Sequence, residues 1–226
     1  MSETHLDPNE DAECPDAGAV VVLVHGLWVN GWSWMAQRMH LQREGFSCEL
    51  FSYPSVQAPL HKNAAALAAF VAAIDAPVVH LLGHSLGNAL IWRALTDYPE
   101  SRPGRVVMVA PPFLDSLPAR RFGTFAAGHA VLGKTMEEWL ATTQKRWDVP
   151  RELGIIAGNL AFGLGMIVAP ELPHPHDGVV AVSETQVPGA KDHIQLPVSH
   201  TGMLIAPSVA RQAAHFLRRG RFSRSP

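Results

Sequence analysis

The chain has 226 residues, of which 47% are hydrophobic and 17% charged, enough apolar material for one compact domain with a full core. Its formal net charge is −2, so it lacks the strongly basic composition of a nucleic-acid-binding protein. The longest apolar run, residues 160–170, is too short and too rich in glycine for a transmembrane helix, which needs about 20 residues. The acidic N-terminus does not resemble a secretory signal, so we expect a cytoplasmic protein.

Residues 1–18 are rich in Asp, Glu, Pro and Asn, and this composition predicts a disordered leader. We expect residues 19–222 to form a single folded domain. Of the two cysteines, Cys14 lies in the leader and Cys48 in a predicted strand, so we expect no structural disulfide. The sequence leaves the oligomeric state open.

Short apolar runs alternate with helical stretches along the domain. Strands are predicted at residues 19–25, 47–53, 78–82, 105–110, 154–157 and 193–196. Helices are predicted at residues 34–44, 61–74, 88–98 and 208–219, with two more around 119–130 and 136–145. An alternation at this spacing indicates βαβ units. The predicted fold class is therefore α/β, with a mostly parallel sheet and helices on both of its faces.

The segment 160–176 contains many Gly and Pro residues and no strand pattern. Loops of this length inside a compact domain are usually functional or mobile. Its apolar side chains are unusual for a solvated loop, and its glycines supply flexible joints. We expect this segment to cover a functional site, and permanent packing on the core is the alternative.

The pattern Gly-x-Ser-x-Gly occupies residues 83–87 and directly follows the apolar run 78–82. A helical stretch, 88–98, comes next, so the pattern lies at a strand-to-helix corner. At such a corner the central residue, Ser85, stands exposed in a strained backbone conformation, and glycines on either side avoid clashes. The N-terminus of the helix also favours negative charge on the serine oxygen. We interpret Ser85 as a nucleophile rather than as part of an ordinary turn.

A serine hydroxyl is a weak nucleophile and needs a histidine base that is oriented by a carboxylate. The expected order along the chain is serine, acid, histidine. His200 lies in the turn after the last predicted strand, at the carboxyl end where catalytic groups gather. His174 and His176 remain alternatives because they lie beside the candidate acid. His193 stands at the wrong end of a strand, and His215 lies inside a helix.

Asp177 is the candidate acid because it follows the long loop after the penultimate strand. The Asp-Gly pair at this position is also an ordinary turn signal. Asp115 is the main alternative, since it follows the predicted strand 105–110. Three other carboxylates are interpreted as surface charges, namely Asp148, Glu184 and Asp192.

The oxyanion that forms during acyl transfer needs two preorganised N–H donors. We expect one from the backbone of Leu86, directly after the nucleophile, and the other from Leu27, in the turn after the first strand. Four apolar side chains near these positions predict a pocket for the acyl or alcohol part of a substrate: Trp28, Phe113, Leu164 and Met166. Packing of the loops onto the core would account for the same side chains.

Four short segments, in this order, together resemble the α/β-hydrolase superfamily: residues 24–27, 83–87, 177–180 and 199–202. They are most similar to its small lipases and esterases that lack a large cap domain. The resemblance covers nearly the whole chain after the leader. It implies a Ser85–His200–Asp177 triad, the two backbone donors already named, and neither a cofactor nor a metal. Asn88 departs from the family pattern, in which a second glycine is common at this position.

We therefore expect a serine hydrolase that cleaves carboxylic esters through an acyl-enzyme on Ser85, with a small-molecule ester that has an apolar part as its substrate. A thioesterase or an amidase would use the same triad, and a cofactor-free perhydrolase would differ only in the pocket at the oxyanion turn. A non-catalytic binding protein is a further alternative, but it would have no use for a nucleophile, an acid and a base in this order. Fold alone does not decide the substrate.

Overall fold

The computed structural model of the protein describes residues 18–125, 127–143, 145–163 and 165–224. In these ranges the strands are β1 (Ala19–Val24), β2 (Ser47–Phe51), β3 (Val78–His84), β4 (Val106–Val109), β5 (Leu153–Gly158) and β6 (Asp192–Leu196). They pair in parallel as one sheet, in the order β2-β1-β3-β4-β5-β6. The predicted α/β class with a parallel sheet is confirmed.

Helices cover both faces of this sheet. The helices in the described ranges are α1 (Met35–Arg43), α2 (Leu60–Ala72), α3 (Leu86–Asp97), α4 (Leu117–Gly123), α5 (Gly128–Ala141), α6 (Gly165–Val168) and α7 (Pro207–Arg219). Helix α2 packs against α3, and α1 packs against α7. Along β1, Val22 and Val24 belong to one core cluster and Val21 and Leu23 to another, because successive side chains of a strand point to opposite faces. Burial on both faces explains why the strand sequences are continuously apolar.

The observed element boundaries differ from the predicted ones mainly at the strand-to-helix corner and after β4. Strand β3 runs on to His84 and α3 begins at Leu86, so a single residue, Ser85, separates strand from helix. Helix α5 contains a kink at Gly133 (φ 74°, ψ 170°) that the sequence pattern does not indicate. The segment 160–176 includes the short helix α6.

Three further expectations from the sequence concern membrane spans, metal sites and cysteines. Among the helices that the structure describes, every one falls short of the length and apolarity that crossing a membrane requires. In the same ranges, no cluster of three or more His, Cys, Asp or Glu side chains is placed to bind a metal ion. Cys48 is buried as a free thiol, whereas Cys14 and the rest of the leader up to residue 17 lie outside the described residues.

Helix α3 approaches the sheet most closely at Gly87. A Cβ added to this residue would lie 2.4 Å from the backbone oxygens of both Val24 and His25, at the end of β1. These are backbone atoms inside a close-packed core, so they cannot swing aside as the end of a flexible side chain can. The contact between α3 and β1 therefore requires glycine at this position.

We predict that Gly87→Ala lowers the melting temperature by several degrees, because overpacking costs about 1–3 kcal/mol and each kcal/mol shifts the midpoint of a domain this size by about 2–4 °C. Circular dichroism on heating measures the shift. Gly123→Ala is the matched control, since its added Cβ would meet its nearest neighbour at 3.7 Å, an ordinary contact distance. Equal melting temperatures for the two variants would contradict the steric explanation.

Candidate active site

Ser85 occupies the one-residue turn between β3 and α3. Its backbone has φ 53° and ψ −124°, and a positive φ of this kind costs a residue other than glycine about 1–3 kcal/mol. Two hydrogen bonds hold the turn. The N–H of Ser85 donates to the carbonyl of Val109 (3.0 Å), and the N–H of Asn88 donates to the carbonyl of Ser85 (3.0 Å). The nucleophile candidate is thereby fixed at the carboxyl end of the central strand.

We call the junction of β3, Ser85 and α3 the elbow. Asn88, where the sequence departs from the family pattern, packs between the strand and the helix of this elbow. Its Nδ2 group donates to the carbonyl of Val109 at 2.9 Å, the same carbonyl that accepts the N–H of Ser85. A Cβ on Gly83 would lie 2.4 Å from Oδ1 of Asn88. The glycine at position 83 and the asparagine at position 88 therefore fit one another, and Asn88 is almost completely buried.

His200 and Asp177 form a buried pair at the same end of the sheet. Nδ1 of His200 lies 2.7 Å from Oδ2 of Asp177. The other carboxylate oxygen accepts the backbone N–H groups of Val179 (2.9 Å) and Val180 (2.7 Å). The backbone N–H of His200 also donates to the carbonyl of Asp177 (2.9 Å). The turn that carries the acid and the turn that carries the histidine are thus joined by a side-chain and a backbone hydrogen bond.

Opposing effects set the pKa of Asp177. Burial alone would raise it, but the neighbouring His200, its hydrogen bond and the two backbone N–H donors outweigh burial, so the pKa lies below its usual value. The carboxylate is therefore ionised at neutral pH and accepts a hydrogen bond from Nδ1–H of His200. This tautomer leaves Nε2 of His200 with the lone pair that a general base needs.

His84 links the elbow strand to the turn that carries His200. The two imidazole centroids lie 4.6 Å apart, and Nε2 of His84 lies 3.0 Å from the carbonyl oxygen of His200. Burial lowers the pKa of His84 to about 3, so its ring is neutral and Nε2–H is the donor to that carbonyl. Its place beside the nucleophile in the Gly-x-Ser-x-Gly pattern is the only sequence signal for this role.

The turn after β1 is braced by His25 and Tyr53. Nε2 of His25 accepts the backbone N–H of Tyr53 (3.1 Å), which leaves Nδ1–H to donate to the carbonyl of Gly26 (2.8 Å). The hydroxyl of Tyr53 donates to the carbonyl of His25 (3.0 Å). These bonds fix the backbone that leads into Leu27. On the other side of the elbow, Leu86 is the first residue of α3, so its N–H has no acceptor within the helix.

A cavity of about 340 Å³ opens beside the elbow, and Ser85 and His200 both line it. The structure thus brings the candidate nucleophile and the candidate base to one space. The rest of the wall comes from α4, α5 and α6 and from three turns. These are the turn after β1 (residues 25–29), where we expect the oxyanion donor Leu27 and which we call the oxyanion turn, the turn that carries Asp177 (residues 177–181), which we call the acid turn, and the turn that carries His200. Among the described residues that line the cavity, none is Asp, Glu, Lys or Arg. This lining favours an uncharged, largely apolar ligand.

Of the four apolar side chains expected in the pocket, Trp28 lines the cavity and Phe113 does not. Trp28 lines the cavity, with its backbone at a positive φ of 62°. Phe113 does not, and this expectation is corrected, because its ring is completely buried in the core with its centroid 5.6 Å from that of Trp139. Its backbone N–H is tied to the carbonyl of Glu184, and Pro112 lines the cavity in its place.

The remaining two expected pocket residues fall in the segment 160–176. Leu164 lies outside the described residues. Met166 is not part of the cavity wall, and this expectation is corrected too. In α6 the residues that line the cavity are Gly165 and Val168. Residues three apart share one face of a helix, so the side chain of Met166 points to another face. Met166 is partly exposed to solvent instead.

The alternative triad members make other contacts. Asp115 forms an ion pair with Arg120 (2.5 Å), and its side chain is 45% exposed. His176 accepts the backbone N–H of Gly178 through Nδ1 (3.1 Å), so it shapes the turn that carries the acid. His174 packs against His176 with ring centroids 4.3 Å apart. It is His200 that pairs with Asp177.

Glu184 is a buried carboxylate, and its interpretation as a surface charge is wrong. It is only 8% exposed, and burial raises its pKa. One oxygen accepts the backbone N–H of Leu117 at the start of α4 (2.7 Å), and the other accepts the N–H of Ala181 in the acid turn (2.8 Å). Glu184 therefore joins the acid turn to the helix pair that forms part of the cavity wall.

A sequence model described as the Alpha/beta hydrolase family matches residues 21–188, which is most of the chain. The chain belongs to the alpha/beta hydrolase family. The matched residues include Ser85 and Asp177 but end before His200, so the place of His200 in this alpha/beta hydrolase rests on the geometry described above. No curated protein matches the chain in sequence.

Solved structures share the fold of this alpha/beta hydrolase. The mature lipase BlEst2 of Bacillus licheniformis aligns with a TM-score of 0.68 over 90% of this chain and 90% of that chain, at 17% identity. The metagenomic carboxyl esterase MGS0156 gives a TM-score of 0.67 over 86% of this chain and 73% of that chain, at 19% identity. The pyrethroid hydrolase PytH gives 0.62 over 88% and 96%, at 16% identity. Likeness at these identities establishes the fold.

The Asp177–His200 pair should make the stability of this alpha/beta hydrolase depend on pH in the acid range. The pKa of Asp177 is lower in the folded protein than in the unfolded chain, where it is about 3.9. The contribution of the ionised Asp177 to the free energy of unfolding is therefore fully present above the pKa of the unfolded chain, and it is lost as the pH falls through the pKa of the folded protein. We predict that wild type is more stable than Asp177→Asn at neutral pH and that the difference shrinks below about pH 4.

Denaturant unfolding of both proteins at a series of pH values measures this difference in the free energy of unfolding. A difference that stays constant into strong acid would mean that ionisation of Asp177 does not contribute to stability.

Proposed function

We propose that the protein is a serine hydrolase that cleaves uncharged carboxylic esters with an apolar part, through an acyl-enzyme on Ser85. The observation that carries the proposal is that Ser85 and His200 line one largely apolar cavity while His200 is paired behind it with the buried Asp177. A nucleophile, a base and an orienting acid are the set that acyl transfer requires. The family, and the lipase and esterase names among its structural neighbours, support a hydrolytic reaction.

In the first half of the proposed reaction, Oγ of Ser85 attacks the carbonyl carbon of the ester. Nε2 of His200 takes the hydroxyl proton as the new C–O bond forms, while Asp177 accepts Nδ1–H and stabilises the imidazolium. The tetrahedral intermediate then collapses, the bond to the alcohol oxygen breaks, and Nε2–H gives its proton to the departing alkoxide. The products are the acyl ester of Ser85 and a free alcohol.

The negative oxygen of the tetrahedral intermediate needs donors on the side of the cavity away from the base. The backbone N–H groups of Leu27 and Leu86 are the proposed donors. Leu86 supplies a free N–H at a helix N-terminus, and Leu27 follows the turn that His25 and Tyr53 hold rigid. Each such donor contributes about 3 kcal/mol of transition-state stabilisation when it is fixed in advance.

Water completes the second half of the reaction. Nε2 of His200 takes a proton from the water as its oxygen attacks the acyl carbon, and the same donors hold the second oxyanion. The bond to Oγ then breaks, Ser85 regains its proton from His200, and the carboxylic acid leaves.

We predict that Ser85 is the residue that a fluorophosphonate modifies and that Ser85→Ala abolishes both the labelling and the hydrolysis of p-nitrophenyl esters. The physical reason is that Ser85 shares the cavity with the base His200 and lies at the N-terminus of α3, where negative charge on its oxygen is stabilised. Intact-protein mass spectrometry follows the labelling, and absorbance of p-nitrophenol follows the hydrolysis. Ser101→Ala, at an exposed serine away from the cavity, is the control and should keep both. Turnover by Ser85→Ala above background would overturn the proposal.

We also predict that Asp177→Asn lowers kcat by about 10⁴-fold, because an asparagine amide favours the wrong tautomer of the histidine. Steady-state kinetics with a short p-nitrophenyl ester measures the loss. Asp115→Asn provides the comparison and should stay within a small factor of wild type, since Asp115 pairs with Arg120 at the surface. The reverse result would assign the acid to Asp115.

A further inference from the structure

Two cavities meet at the helix pair α4 and α5. The active-site cavity and a groove between these helices share two wall residues, Ala119 and Leu132. Leu132 is 3% exposed and Ala119 is 6% exposed. These two buried side chains therefore separate the cavity from the groove. Beyond them the groove is bounded by α4 and α5. Its wall includes the apolar Leu140, which does not line the active-site cavity, and the charged or polar side chains of Arg120, His129 and Glu137 at its solvent side.

The middle of helix α5, around Leu132, lies on the side of the sheet that β1 and β2 occupy, whereas its C-terminal part reaches Pro112, after β4, through Nε1 of Trp139. The backbone N–H of Lys134 donates to the carbonyl of Val56 (2.9 Å). Nδ2 of Asn63 donates to Oγ1 of Thr135 (2.9 Å). Val56 and Asn63 belong to the chain that follows β2, whereas His200 follows β6 at the opposite edge of the sheet. The middle of helix α5 and His200 therefore reach the central strand β3 from opposite sides.

These positions orient an ester in the cavity. The alcohol oxygen must lie within hydrogen-bond reach of Nε2 of His200, because that group protonates it on departure. The carbonyl carbon carries its acyl chain on a separate bond from the alcohol oxygen and from the oxygen that faces Leu27 and Leu86, and the wall of α4 and α5 is the side of the cavity away from His200. The apolar wall on that side is formed by Phe122, Leu132 and Met136, so an acyl chain directed to that side would meet Leu132.

The kink in α5 holds Leu132 in place. Gly133 has φ 74° and ψ 170°, which interrupts the helix next to Leu132. Nε1 of Trp28 donates to the carbonyl of Val131 (2.7 Å), and the indole packs edge-on against Phe122 with centroids 6.1 Å apart. Val131 is thus anchored to Trp28 in the oxyanion turn, and Gly133 forms the kink. Leu132 lies between these two fixed residues.

We propose that Leu132 is the specificity-determining residue that closes the far end of the acyl pocket and so limits the length of acyl chain that the enzyme accepts. The groove behind it is the space into which a longer acyl chain extends once the side chain is shortened. This inference rests on the proposed esterase function, and it concerns acyl length rather than the chemistry at Ser85.

The test compares Leu132→Ala with wild type on p-nitrophenyl esters from acetate to palmitate. The ratio of kcat/KM for long-chain to short-chain esters should rise about tenfold or more, the scale on which apolar pockets discriminate chain length. Leu140→Ala removes the same atoms from the same helix, but Leu140 lines the groove and not the active-site cavity. This variant should therefore keep the dependence of kcat/KM on acyl length that wild type shows. A profile of Leu132→Ala that matches wild type, or a uniform loss on all esters, would overturn the proposal.

Leu132→Phe provides the opposite change for the case in which the alanine variant does not fold. The larger side chain should shift the preference toward acetate and butyrate, and an unchanged profile in this folded variant would also overturn the proposal. Failure of the proposed function has a separate signature. Wild type would then show neither fluorophosphonate labelling nor acetate hydrolysis, whereas failure of this inference leaves both intact.

Discussion

The backbone turn at Ser85 is the constraint on which the rest of the site depends. A single residue with φ 53° converts the buried strand β3 into helix α3, and this can happen only where α3 starts directly against the end of β1. Gly87 permits that approach, because any side chain there would meet the oxygens of Val24 and His25. The same backbone path places the N-terminus of α3, with its unpaired N–H groups, beside the serine oxygen. The position of Ser85 in the cavity wall and the unpaired N–H of Leu86 therefore have one structural cause.

A chain of buried polar groups ties this turn to the distant acid. His84 donates to the carbonyl of His200, and the backbone N–H of His200 donates to the carbonyl of Asp177. Asp177 in turn accepts two N–H groups of its own turn, and Glu184 holds that turn against the start of α4. A buried carboxylate is tolerated only when its oxygens are satisfied by hydrogen bonds. Asp177 therefore shapes the turn that presents it as well as orienting the imidazole.

The sequence was informative where a local pattern determines the structure. The elbow around Ser85 follows from glycine spacing at a strand–helix junction, and the parallel sheet follows from the alternation of apolar runs and helices. Side-chain directions in the loops could not be predicted in this way. Phe113 turns into the core because its N–H meets a carbonyl of Glu184, a contact between residues 71 positions apart in the chain. The outward direction of Met166 could not be predicted because α6 is one turn of helix, too short to leave a periodic pattern in the sequence.

The residues proposed for the chemistry and those proposed for the choice of substrate lie in different parts of the fold. Ser85, Asp177 and His200 follow strands of one hydrogen-bonded sheet, whereas α4 and α5 lie in the connection between β4 and β5. A change in this helix pair alters the cavity without moving the strand ends. Trp28 is the point where the two parts meet, because its indole binds the α5 carbonyl of Val131 while its backbone directly follows Leu27. The wall that we propose receives the acyl chain and the turn proposed to hold the oxyanion are therefore joined through Trp28.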